Sequence, residues 1–192
     1  MKLFEKPDRL SRSQIWEMQK QYYLHRGMVA WDQGLIPSFM SSNAFLAQAY
    51  AEVIKAFVGD NAADGMPVRV VEMGAGSGRL AFLILKQLLR LGLDRRQFHY
   101  VMTDIAEPII EGWRRCGAFQ QFLDEGLLSF ATLDADQPES LRQIDGLNVE
   151  ISGPMVLIAN YVVDTLRQDA FRMRGDELQE CRVAAGSTTA EA

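Results

Sequence analysis

Three glycines alternate along V-V-E-M-G-A-G-S-G-R-L at residues 70–80: Gly74, Gly76 and Gly78, with Glu72 two positions before the first. Glycines so spaced permit a tight turn and let another group approach the backbone where a Cβ would stand. Set between a β-branched run and a helical stripe, the loop would aim amides and a helix N-terminus at a carboxylate or phosphate. The spacing argues against two nucleotide sites. A dinucleotide fingerprint, G-x-G-x-x-G, needs a glycine where Arg79 stands, which leaves a nicotinamide-dependent oxidoreductase as the weakest reading; no G-K-[S/T] follows, so this is not a P-loop. The plain alternative is that the glycines only make a strand-to-helix turn.

Other polar groups stand at the ends of later apolar runs. Asp104, followed by Ile105, closes H-Y-V-M-T-D. There it could accept hydrogen bonds from paired sugar hydroxyls, or cap the helix that Pro108 opens. Asp134 and Ala135 end a third run. A fourth leads into I-A-N-Y-V-V-D-T-L, residues 158–166, with Asn160, Tyr161 and Asp164. These three read either as groups facing a substrate or as a strand-end turn with a capping Asp. Trp16, Tyr22, Tyr23 and Trp31 read as packing residues. His25, His99, Cys116 and Cys181 have no metal-site spacing, and no metal is expected.

The E-x-G-x-G-x-G pattern resembles motif I of class I S-adenosylmethionine (SAM)-dependent methyltransferases. The resemblance implies SAM as cofactor and S-adenosylhomocysteine (SAH) as product, with Glu72 orienting the amino-acid end over Gly74, Ala75, Gly76 and Gly78. It implies further that Asp104 and Ile105 lie at the ribose, and Asp134 and Ala135 at the adenine amine. Residues 158–171 resemble the MidA-like group, which includes the mitochondrial complex I assembly arginine methyltransferase; its similar segment reads roughly A-N-E-F-x-D-A-L. Tyr161 stands where that pattern has Glu, which bears on arginine as acceptor. Asn160, Tyr161 and Asp164 are the implied catalytic residues. The acceptor, a protein side chain or a small molecule, is left open.

These groups need a scaffold of alternating elements. The spacing predicts helices over about 13–30 and from Ser42-Asn43 to Gly59, with Leu46, Ala49, Tyr50, Val53, Ile54 and Phe57 as the second helix's apolar stripe. Strands are expected at 68–73, 99–105, 127–135 and 154–160, a helix over 80–91, and a hairpin at 170–183 about Gly175-Asp176. Strand and helix in alternation read as an α/β, doubly wound, Rossmann-like, mostly parallel sheet. The expected division is an N-terminal helical extension (1–60), a SAM-binding domain (61–183) and a flexible tail (184–192), with residues 1–10 a loose leader. The linker 38–45 is expected either to close over the ligand as a lid or to belong to a stabilising cap. The resemblance implies seven strands, so the C-terminal strands read as incomplete and the chain as truncated or divergent. An exposed sheet edge would invite a second copy, and a non-catalytic SAM- or partner-binding module is the alternative function.

Composition agrees with a globular domain. Of 192 residues, 48% are hydrophobic and 23% charged, and 20 Lys+Arg against 25 Asp+Glu leave a formal charge of −5. That balance offers no basic field for a nucleic-acid backbone. No apolar run is long enough to span a membrane, and a cytoplasmic location is expected.

Overall fold

The computed structural model describes residues 2–32, 39–61, 66–143 and 153–187. In chain order the elements are β1 (Lys2–Leu3), β2 (Asp8–Arg9), α1 (Ile15–Arg26), α2 (Val29–Asp32), α3 (Ala44–Asn61), β3 (Val68–Glu72), α4 (Arg79–Arg90), β4 (Phe98–Asp104), α5 (Glu107–Arg115) and α6 (Gln120–Asp124). There follow β5 (Leu128–Asp134), β6 (Gln137–Gln143), β7 (Met155–Ile158), β8 (Phe171–Arg174), β9 (Glu177–Glu180), β10 (Arg182–Val183) and β11 (Gly186–Ser187). They fall into two compact units, one of residues 1–23 with 164–192, the other of residues 24–163.

The larger unit holds a five-stranded sheet in the order β6-β5-β4-β3-β7. Strands β5, β4, β3 and β7 are parallel, as β-branched runs joined by helical crossovers dictate. Val68, Val70, Phe98, Tyr100, Met102 and Ile158 join one core cluster with Ala51 and Ile54 of α3, Ile84 and Leu88 of α4, and Ile109 and Trp113 of α5. A smaller cluster contains Val71, Val101 and Ala131. The α/β doubly wound reading thus holds, with one correction to the sheet. Residues 137–143, a polar run containing Pro138, form the antiparallel strand β6 that periodicity did not mark. Proline is tolerated there because β6 lies at the sheet edge.

The helices also depart from the expected stripes. Asn43 caps α3 as anticipated, its Oδ1 accepting the Leu46 N–H at 3.0 Å. The buried face, however, is Ala47, Ala51, Ile54 and Val58, while Val53 is 65% exposed. Alanine gives too weak a hydrophobic signal to reveal that rotation. The helix expected over 13–30 breaks at Gly27, whose φ is +52°, into α1 and α2. Along these two helices Ile15, Met18 and Val29 are exposed, while Leu24, Met28 and Trp31 pack on the core.

The smaller unit corrects the expected loose ends. Strand β1 pairs with β11 and β2 with β10, both antiparallel, so the leader and the start of the supposed tail hold each other. Glu5 helps fix them: its carboxylate accepts from Ser13 Oγ at 2.5 Å, Gln14 N at 2.7 Å and Ala185 N at 2.8 Å. Ser13 Oγ also accepts from Ile15 N, so Glu5 and Ser13 receive the first N–H groups at α1. The hairpin about Gly175 forms as β8 and β9.

Candidate functional site

Parallel strands bring their C-terminal ends to one edge of the sheet. The chain crosses from β3 to β4 on one side and returns later to place β7 on the other, so the strand order reverses at β3. Ligands of open α/β sheets bind in the crevice outside such a reversal. Glu72 ends β3 there, opposite Ile158 of β7. The loop after it is stitched to both neighbours: Met73 N donates to Ile158 O at 2.8 Å, and Ala75 N to Thr103 O at 2.9 Å. Thr103 Oγ1 also donates to Glu72 O at 2.8 Å.

Gly76 is held from three directions. Its N–H donates to Asp104 Oδ2 at 3.1 Å, and its carbonyl accepts from the buried Trp113 Nε1 at 2.8 Å. A Cβ at Gly76 would stand 2.7 Å from Trp31 Cζ2, and its φ is +53°. Gly74 and Gly78 likewise have positive φ, and their Cβ positions lie 2.8 Å from Val162 Cγ2 and 2.9 Å from Met102 and Phe119. The space expected to lie open to a ligand beside each glycine is therefore filled by the chain's own side chains.

Glu72 is 3% exposed and Asp104 6%. Burial pushes the Glu72 carboxyl up to about 7; donation from Tyr100 Oη to its Oε2, at 2.9 Å, opposes the shift, and the charge of Asp104 adds to it. Burial also raises Asp104, to about 6, against the opposing N–H groups of Ala106, Gly76 and Ile105. Tyr100 is itself pushed well above its ordinary value, first by burial and then by Glu72, and stays a hydroxyl donor. Glu72 Oε1 accepts no hydrogen bond among the described residues. No fully enclosed polar side-chain atom among those residues lacks a partner, so this oxygen reaches accessible space. Two buried carboxylates that disfavour each other's charge, one with an oxygen reaching accessible space, favour a cationic guest.

The remaining expected site residues divide. Asn160 and Tyr161 follow β7 at the same edge; Asn160 Nδ2 donates to Ser41 O at 2.8 Å. Tyr161 is 75% exposed and has φ +54°, the one non-glycine with positive φ among the described residues. Asp164, exposed in the turn Val163–Thr165, belongs to the smaller unit. Asp134 and Ala135 form the tip of the β5–β6 hairpin, where Asp134 Oδ1 accepts from Asp136 N at 3.1 Å. The linker reaches the site region: besides Ser41, the carbonyl of Ser42 accepts from Arg79 Nε at 3.0 Å. Residues 37 and 38 lie outside the described part. Trp31, Tyr100, Trp113 and Arg79 are the site neighbours that spacing did not single out. Tyr100 alone carried a signal, a hydroxyl-bearing ring in an otherwise apolar strand. Among the described residues no group of His, Cys, Asp and Glu could hold a metal ion, and no helix is long and apolar enough to cross a membrane.

Comparisons with known proteins define the class. The family described as "Putative S-adenosyl-L-methionine-dependent methyltransferase" matches residues 45–191, and the chain belongs to it. A non-reducing polyketide synthase, mapC, of Penicillium roqueforti (strain FM164) is 28% identical over 125 residues, 65% of this chain and 4% of that one. An uncharacterised Burkholderia thailandensis protein of known structure is 18% identical, with a TM-score of 0.50 over 96% of this chain and 45% of that one; the likeness is one of fold. A further solved structure, of a COG1565 superfamily member and likely methyl transferase from Burkholderia thailandensis bound to S-adenosyl-homocysteine, is 20% identical with a TM-score of 0.48, over 79% and 36% of the two chains. The chain thus spans under half the length of each of these relatives.

Proposed function

We propose that the crevice at the β3–β7 reversal binds SAM and serves methyl transfer to an acceptor. The observation that carries this reading is Glu72, buried at the mouth of the glycine loop with one carboxylate oxygen open, in a chain of a methyltransferase family. The donor set fits the cofactor: a cationic ammonium matches Glu72. Asp104, with three N–H partners, keeps carboxylate lone pairs for a ribose hydroxyl. In this reading the ligand lies along the loop of Gly74, Ala75, Gly76 and Gly78, whose tight turn the glycines permit, with Ile105 beside the ribose and Asp134 and Ala135 toward the adenine.

When bound, SAM supplies a methyl group on a sulfonium, with a thioether as the leaving group. What the chain contributes is position and exclusion of water, since an oriented acceptor gains most of its advantage from proximity. Asn160 and Tyr161 are the acceptor-side residues of this reading. The finer placement is with the MidA-like group, with Tyr161 in place of Glu setting this chain apart from an arginine-directed site. A second copy at the β7 edge, where Leu157 is 52% exposed, and a reducing, cytoplasmic setting for the free Cys116 and Cys181 complete the reading.

Calorimetry with SAM and with SAH is the test. Saturable binding of both is expected; no binding of either by the full chain overturns the reading. Transfer of labelled methyl to a discrete acceptor then separates an enzyme from a module that only binds.

A further inference from the structure

We propose that Arg79 receives the carboxylate of the cofactor's amino-acid end, so that the crevice holds a zwitterion between two fixed charges, Glu72 for the ammonium and Arg79 for the carboxylate. The inference rests on the SAM reading and names a residue that reading leaves unused.

Gly78, at φ +72°, turns the chain directly into α4, so Arg79 is the first helical residue after the loop. Seven positions earlier, Glu72 closes the strand that feeds the same loop. The two charges therefore bracket it, one at its entry and one at its exit. Their exposures differ in a way that suits an amino-acid group entering from solvent. Glu72 is buried and Arg79 exposed, so the ammonium lies inward and the carboxylate outward.

The guanidinium is oriented but not consumed. Its Nε donates to Ser42 O at 3.0 Å, which fixes the plane of the group. Both Nη groups have no hydrogen bond and no ion pair among the described residues, although acids outnumber bases in this chain, 25 to 20. Arginine carries five N–H donors in a rigid fork. With Nε committed, the Nη1–Nη2 edge remains, and it matches the two oxygens of a carboxylate. The first N–H groups of α4 lie beside it and favour the same sign of charge. A surface arginine needed only for solubility would have no reason to hold a backbone carbonyl of a segment 37 positions away.

The experiment compares SAM with its decarboxylated analogue, which keeps the adenosine, sulfonium and ammonium and lacks only the carboxylate. Calorimetry on the full chain is expected to show SAM binding at least tenfold tighter than the analogue. Arg79→Gln is expected to weaken SAM about tenfold and to leave the analogue within twofold, erasing the difference; Arg79→Lys, keeping charge but not the fork, falls between. An Arg79→Gln variant that weakens both ligands alike makes Arg79 a tether for Ser42 and overturns the inference. So does a wild type that binds both ligands equally, with the SAM reading left intact. Failure of the wild type to bind either ligand overturns both.

Discussion

Glu72→Gln tests whether the buried carboxylate is held for a guest rather than for the fold. In the folded chain its carboxyl is raised from 4.5 to about 7, chiefly by burial. The folded protein thus binds this proton more tightly than the unfolded chain does. The associated stability is fully present below pH 4.5 and is lost as pH rises through about 7. A shift of that size, at about 1.36 kcal/mol per pH unit, removes roughly 3 kcal/mol between pH 4.5 and 8. Glutamine cannot ionise, is nearly isosteric, and keeps an oxygen to accept from Tyr100. The variant should therefore gain on wild type by roughly 3 kcal/mol over that interval. Asp104, raised to about 6, weakens both proteins over the same range, so its own contribution largely cancels in the difference. Urea unfolding followed by circular dichroism at half-unit steps of pH measures the gap. SAM binding should change in the opposite direction, falling in the variant because the ammonium loses its counter-charge. A gap that stays constant from pH 4.5 to 8 would refute the reasoning, as would a more stable variant that binds SAM as tightly as wild type.

Three further outcomes are expected. Gly76→Ala should lower stability by about 1–3 kcal/mol, because φ is +53° and the new Cβ would meet Trp31 Cζ2 at 2.7 Å; an unchanged thermal midpoint would mean that the indole does not cover this loop. Tyr161→Gly should raise stability by roughly 0.5–1 kcal/mol, since left-handed backbone costs a non-glycine roughly 1–2 kcal/mol against a smaller entropic cost for glycine; a loss of stability would show that the exposed ring packs in solution. Hydrogen exchange at residues 39–43 should slow under saturating SAM, because Asn160 and Arg79 hold the carbonyls of Ser41 and Ser42 at the site; identical exchange with and without ligand would make the segment a static cap.

The parallel sheet was legible because its strands are β-branched runs bounded by glycine and proline, and buried strands leave that mark in any sequence. The site was legible where its chemistry depends on backbone conformation: Gly74, Gly76 and Gly78 all take positive φ. It was not legible where side chains meet across the fold. Nothing in the spacing of Trp31 or Trp113 says that one covers Gly76 and the other donates to its carbonyl. The face of α3 was legible in Ile54, which is buried, and in Tyr50 and Phe57, which pack against the core, but not in Ala47 and Ala51, which share the burial. Strand β6 was missed because an edge strand need not alternate apolar and polar residues. The pairing of residues 2–9 with 182–187 joins the two ends of the chain, and no local pattern encodes so distant a partner.

The clamped loop also bears on what a ligand must do on arrival. Gly76 has its N–H, its carbonyl and its Cβ position all occupied by Asp104, Trp113 and Trp31 before any guest is present. A loop so fixed loses little conformational entropy on binding, which favours affinity. The cost has been moved to electrostatics, where Glu72 and Asp104 share a buried environment that disfavours the charge of each. A cationic group at the open Glu72 oxygen relieves that cost directly. It also lowers the carboxyl's pKa, so binding near neutral pH should release a proton. Shape is thus settled by folding and charge is left for the ligand, which is why the glycines of this loop are required by the chain's own side chains even before the cofactor is considered.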